Sequence, residues 1–172
     1  MRTLYLLRHA KAERGDGGDF ERTLTTRGQG DAAALGAYMR GRDYRPGLML
    51  CSPAARTRET LERLQAALGG EPAAAFNRQL YLGSAGMLLQ RLQEVDEAVG
   101  SVLLIGHNPG LAQLAAMLAP RGDKHALARL REKYSTCGLA VIHLHVDRWE
   151  QAGPGTGTLT DFMAPRLLAA DG

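Results

Sequence analysis

The chain of 172 residues is predicted to fold as a three-layer α/β/α domain around a mostly parallel central sheet. Three observations lead there. Short apolar runs alternate with longer stretches of helical periodicity. One of these runs, Ser101-Val102-Leu103-Leu104-Ile105, is apolar on both faces, as a strand covered by helices on either side must be. Composition is that of an ordinary globular chain, 45% hydrophobic and 23% charged, and the length suffices for one well-buried core.

The elements follow in order. Residues 3–7 form a compact apolar strand, and the glycines at 15–18 mark a loop after it, expected to be mobile. Thr26 to Gln29 has capping-box spacing and opens a helix to about residue 40, with Leu35 and Met39 four apart. Residues 48–51 form the second strand. Ser52-Pro53 then reads as an N-cap with proline at the first helical position. The helix it opens carries Thr57, Leu61, Leu64 and Leu68 on one stripe, and Gly69-Gly70 ends it. Residues 73–77 are a short extra strand. Ser84 caps the next helix, whose stripe is Leu88, Leu92, Val95 and Val99. The strand at 101–105 follows. Asn108-Pro109 repeats the cap-then-proline signal ahead of Leu111, Leu114, Ala115 and Leu118. In the strand at 139–146, Ala140, Ile142, Leu144 and Val146 alternate onto one face, and residues 158–163 form a weaker last strand. The stretch around His125 is basic and loop-like. No internal repeat is visible, so residues 1–172 are expected to form a single domain.

Several function classes are disfavoured. The net charge of +3 comes from 21 basic and 18 acidic residues that are mixed along the chain, and aromatics are 5%; a nucleic-acid binder would show a basic stripe with interleaved aromatics. No apolar run approaches the roughly 20 residues that cross a bilayer. The first residues lack the apolar core and cleavage site of a signal peptide, so a soluble, cytoplasmic protein is expected. Cys51 and Cys137 read as small buried hydrophobes, having neither a disulfide framework nor metal-knuckle spacing. His143 and His145 sit two apart, as zinc ligands sometimes do, but no third ligand is near in sequence, so they read as structural.

In sheets of this kind ligands sit at the carboxyl ends of the strands. Arg8 and His9 follow the first strand; Cys51 and Ser52 follow the second, with Arg56 one turn into the helix; Gly106, His107 and Asn108 follow the third. Singly, each has a bland reading as a structural histidine or a solvated arginine. Together, two histidines and two arginines at one sheet edge suit phosphate. Guanidinium forks match phosphate oxygens, helix N-termini add N–H donors, and a neutral imidazole can attack phosphorus.

These same residues carry a resemblance. Leu7-Arg8-His9-Ala10, the segment from Cys51 to Thr60 that holds Arg56, and Leu104-Ile105-Gly106-His107-Asn108-Pro109-Gly110 resemble, in order and spacing, the three signature segments of the histidine phosphatase superfamily. The Arg-His-Ala-Lys variant, the run Asp19-Phe-Glu-Arg22-Thr-Leu-Thr and the small size are most similar to its SixA-type phosphohistidine phosphatases. The resemblance is strong over residues 1–120 and weaker beyond. It implies a phosphoglycerate-mutase-like fold without a lid insertion. It also implies that His9 takes up the phosphoryl group while Arg8, Arg56 and His107 line its pocket, with His107 protonated or hydrogen-bonding. A backbone carbonyl is expected to fix the His9 tautomer. No cofactor and no metal is needed.

One departure bears on substrate. Most of the superfamily supplies a carboxylic general acid where this chain reads Gln79-Leu80-Tyr81-Leu82-Gly83-Ser84, as the SixA-type branch also departs. A phosphorylated imidazole needs less protonation than an alcohol leaving group. The favoured substrate is therefore phosphohistidine on a protein partner, met by an open pocket with Arg22 and Lys11 toward an acidic surface. Asp16, Asp19 or Glu21 remains a possible proton source. The rivals are a small-molecule phosphomonoesterase or mutase-like enzyme, and a non-catalytic phospho-ligand module. The sequence carries no signal for oligomeric state.

Overall fold

A computed structural model of the chain describes residues 1–171. Its elements are β1 (Arg2–Arg8), α1 (Thr26–Gly41), β2 (Leu48–Cys51), α2 (Ala55–Leu68), β3 (Ala73–Phe76), α3 (Ala85–Gln93), β4 (Ser101–Gly106), α4 (Gly110–Leu118), α5 (Lys124–Glu132), β5 (Leu139–Leu144), β6 (Gly157–Met163) and α6 (Pro165–Asp171). One six-stranded sheet runs in the order β3-β2-β4-β1-β5-β6. The first four in that order are mutually parallel, whereas β5 and β6 are antiparallel additions beside β1. "Mostly parallel" thus describes four strands of six. The antiparallel pair reflects its connections, because β5 and β6 are joined without a crossover helix.

The sheet divides the core in two. Leu4, Leu6, Val102 and Leu104 face Leu88, Leu92, Leu111 and Leu114. Tyr5, Leu7, Leu103 and Ile105 face Leu35, Met39, Leu61 and Leu64. Strands β1 and β4 are buried on both faces, which is why their sequences show no polar alternation. The alternate set Ala140, Ile142 and Leu144 lies on the first of these sides, as its periodicity predicts.

Helix starts differ from expectation where side chains are needed elsewhere. Thr25, not Thr26, caps α1, accepting from the Gly28 N–H at 2.9 Å. Ser52 does not cap α2, which opens at Ala55 without a side-chain cap. Asn108 does serve α4, its Oδ1 accepting from the Ala112 N–H at 3.1 Å. Ser84 caps α3 as expected. The stretch around His125 is a helix, not a loop: Asp123 caps it, and only Ala126 is fully buried, so its periodicity is weak. The loop after β1 is tied at its base rather than free, through an Ala12–Leu24 bridge and the Glu13 N–H donating to the Thr23 carbonyl at 2.8 Å.

The topology makes one crevice. The chain leaves β1 toward the α1–α2 face and leaves β4 toward the α3–α4 face, although the two strands are neighbours. Their carboxyl ends therefore part, which is the switch point where such sheets bind ligands. Gly110 permits the close fit there: a Cβ would stand 2.1 Å from the Gly83 carbonyl oxygen.

Candidate active site

All four residues placed by sequence at the strand ends converge on this crevice. The His9 N–H donates to the Gly106 carbonyl at 3.1 Å and the Ser52 N–H to the Ile105 carbonyl at 3.1 Å, so the ends of β1, β4 and β2 are stitched together. The His9 and His107 rings lie 5.4 Å apart, and the Arg56 guanidinium is 3.2 Å from His107 Nδ1. His9, Arg56 and His107 are all buried.

The hydrogen bonds assign the protons. His9 Nδ1 is 2.7 Å from the Ala10 carbonyl oxygen, which can only accept, so Nδ1 carries the hydrogen and Nε2 is bare. This carbonyl is the partner that was expected without being identified. Arginine only donates, so His107 Nδ1 accepts from Arg56, and His107 Nε2–H donates to the Ser52 hydroxyl at 2.7 Å. Burial is the main reason that the His9 pKa is lowered to about 4, with Arg56, Arg8 and Arg22 adding to it against the Ala10 bond. Burial, then Arg56 and His9, lower that of His107 to about 3. Of the two forms expected for His107, the structure shows the hydrogen-bonding one, with the ring neutral.

The cations are held close and are not saturated. Burial, and then repulsion from Arg56, lower the Arg8 pKa against the favourable influence of Tyr134. The Arg8 guanidinium donates to the Tyr134 carbonyl at 3.1 Å. The Nε atoms of both Arg8 and Arg56 are buried with no partner among the described residues. Buried N–H donors are nearly always paired, so two orphans on converging guanidiniums suit an added oxyanion.

Three roles in the site escaped the sequence reading, which named Asp19 only as a proton source, Tyr81 only within the segment that lacks an acid, and Ser52 only as a helix cap. Asp19 is the first: its Oδ2 pairs with Arg56 at 3.0 Å, its carbonyl accepts from Arg56 at 2.7 Å, and its Oδ1 pairs with Arg22 at 3.1 Å. The Tyr81 hydroxyl, the second, donates to Asp19 Oδ2 at 2.5 Å, while its ring stands edge-on to His107 at 5.5 Å. Ser52 is the third, as the acceptor that orients His107. The Tyr81 bond, then those from Arg56 and Arg22, hold the Asp19 carboxyl well below the usual carboxylate range despite partial desolvation. Arg22 reaches the site through Asp19. Asp16 and Glu21 are exposed and make no such contacts.

Other candidates fall away from the crevice. Burial raises the Cys51 thiol to about 12 and the Cys137 thiol beyond the ordinary range, so both stay protonated. His145 Nε2 meets the Thr158 hydroxyl at 2.9 Å, and among the described residues no group of three histidine, cysteine or acidic side chains is placed to hold a metal ion. A cavity of about 690 Å³ at the far end of α2 is lined by Glu62 and Glu71, which would repel phosphate. Among the described residues no helix is long and apolar enough to cross a membrane.

The comparisons agree with this geometry. The family model of histidine phosphatase superfamily (branch 1) matches residues 4–78, which include Arg8, His9 and Arg56. Phosphohistidine phosphatase SixA of Escherichia coli is 30% identical over 155 residues, covering 89% of each chain. A solved SixA structure from Agrobacterium tumefaciens is 34% identical with a TM-score of 0.78, over 95% of this chain and 98% of that one. A protein histidine phosphatase SixA complexed with tungstate is 28% identical with a TM-score of 0.79, over 96% and 99%. With the signature residues gathered at one strand edge and this likeness spanning nearly the whole fold, the chain belongs to the histidine phosphatase superfamily, in its SixA-like part, and has that superfamily's phosphoglycerate-mutase-like architecture.

Proposed function

We propose that this phosphatase removes the phosphoryl group from phosphohistidine on a protein partner through a phospho-His9 intermediate. The observation that carries the reading is the His9 ring, whose Nδ1–H is held by the Ala10 carbonyl and whose Nε2 is bare. In the first step the Nε2 lone pair forms the N–P bond as the bond from phosphorus to the substrate nitrogen breaks. Water then attacks phospho-His9, the N–P bond to His9 breaks, and inorganic phosphate leaves. Arg8 and Arg56 meet the charge on the equatorial oxygens, and their unpartnered Nε–H groups suit that task. An arriving phosphoryl dianion favours uptake of a proton from solvent at His107 Nδ1, which then donates to a phosphoryl oxygen instead of accepting from Arg56. The tungstate held by the SixA relative is a tetrahedral oxyanion of the same shape.

Asp19 supports the substrate class. Bound by Tyr81, Arg56 and Arg22, it is ionised and a poor proton donor to an alkoxide. Phosphohistidine whose other ring nitrogen carries a hydrogen leaves as neutral imidazole, and an ionised carboxylate stabilises that N–H. The two guanidiniums supply the charge that a metal would, so the scheme needs none. We also read the whole chain as one domain without a lid insertion, leaving the crevice open to a residue on a folded partner.

The experiment is a panel of phosphorylated substrates that includes a phosphohistidine carrier domain, free phosphohistidine and sugar phosphates, compared by kcat/KM. The expected order puts phosphohistidine first, with an acid-labile, alkali-stable phosphoryl adduct trapped on the protein and absent from His9→Ala. A preference for sugar phosphates would move the protein to the small-molecule reading. An adduct that survives in His9→Ala would remove His9 as nucleophile, and no turnover at all would leave a binding module.

A further inference from the structure

A groove of about 320 Å³ adjoins the phosphoryl pocket, lined by Lys11, Arg27, Lys133, Ser135, Thr136 and Arg166. Its wall is the connection from α5 to β5, which also flanks the nucleophile. There the Tyr134 carbonyl accepts from Arg8 at 3.1 Å, and the Cys137 N–H donates to the His9 carbonyl at 2.9 Å. Lys11 stands two residues beyond His9.

Among the described residues, four cations line the groove against one carboxylate, Asp31. That surplus equals the net +3 of the entire chain, so charges elsewhere balance. Asp31 does not cancel it: its nearest partner, Arg27 Nε, is 3.9 Å away on a side chain that is 72% exposed. Unpartnered polar atoms add a second sign. Ser135 is buried and its hydroxyl has no partner among the described residues, nor has the buried Nε of Arg166. Buried hydroxyls and guanidinium N–H groups are seldom left so, and a carboxylate would satisfy both.

The layout selects among anions. The charges come from four separated stretches of chain, so they suit several carboxylates along a segment better than one compact ion. Among the described residues no aromatic side chain lines the groove, so nucleic-acid bases find no stacking platform there. We propose that this groove seats an acidic segment of the protein whose phosphorylated residue enters the neighbouring pocket. This inference rests on reading the substrate as a phosphoprotein.

The test uses the full chain and the double variant Arg27→Glu with Lys133→Glu, both at exposed positions outside the phosphoryl pocket. Fluorescence anisotropy would follow a labelled peptide of alternating glutamate and glycine, with labelled polyuridylate as the competing class. The parent protein should bind the acidic peptide in a salt-dependent way. The double variant should weaken it about tenfold, since two attractions become two repulsions. In turnover, KM for a phosphohistidine peptide with acidic flanks should rise by a similar factor, with free phosphohistidine unaffected. Equal peptide binding by parent and variant would overturn the inference, and so would tighter binding of polyuridylate. Absence of any phosphohistidine turnover in the parent would sink the substrate reading instead, while peptide binding would still judge the groove.

Discussion

At His9, burial and hydrogen bonding act on one ring in opposite directions, and burial prevails, lowering the pKa from 6.5 to about 4. The ring of the proposed nucleophile is therefore neutral far below neutrality, and kcat/KM should show its acid limb near pH 4 rather than near 6.5. Stability carries the same sign. Between pH 6.5 and about 4 the unfolded chain binds a proton at His9 that the folded chain refuses, and His107 extends the window to about 3. Stability from these rings is complete above the unfolded value and is lost as acid is added through that window. Melting temperature followed from pH 7 to 5 should fall further for the parent than for a His9→Asn, His107→Asn double variant. Arg56 makes a second test. Arg56→Ala should lower kcat by about 10²–10³, and Arg56→Lys should not restore it, because an ammonium lacks the planar fork.

At the scale of elements, strand ends position the chemistry and helix starts yield to it. Ser52 closes β2 with the signature of an N-cap, yet its hydroxyl accepts from His107. A local propensity worth about 1 kcal/mol gave way to the burial of a polar ring that needed an acceptor. Ser52→Ala should leave that N–H unpaired. It should lower stability by about 1–3 kcal/mol in denaturant melts and reduce kcat more than KM. On β6, buried Asp161 accepts from the Tyr38 hydroxyl at 2.6 Å and from the Tyr44 hydroxyl at 2.8 Å, clamping α1 to the far edge of the sheet. Asp161→Ala should cost a further amount of about 1–3 kcal/mol while leaving the activity per folded molecule unchanged, since the cluster is remote from His9.

For the whole molecule, the expectation that two guanidiniums replace a metal is tested with a chelator. EDTA should leave phosphatase activity unchanged; loss that zinc or magnesium restores would require a different site. The same sheet edge supplies the pocket and, on one side of it, the basic groove. The crevice that holds His9 and the charge surplus of the chain thus share one rim.

What the sequence determined by itself is local or periodic. The apolar runs specified the strands, their carboxyl ends and the helix after β2 located Arg8, His9, Arg56 and His107, and the stripes specified α1, α2 and α4, and α3 only as far as Gln93, short of the expected Val95 and Val99, because these signals are written within a few neighbouring residues. Helix α5 was illegible, since a surface helix with one fully buried residue has almost no periodic signature. Only the tertiary structure decided which polar groups meet. Asp19 and Tyr81, 62 positions apart, share a hydrogen bond; Ser52 serves His107 instead of its own helix; and Lys11, Arg27, Lys133 and Arg166 become one surface. Such pairings depend on distances through space, which sequence spacing does not encode until the sheet order has placed the strand ends side by side.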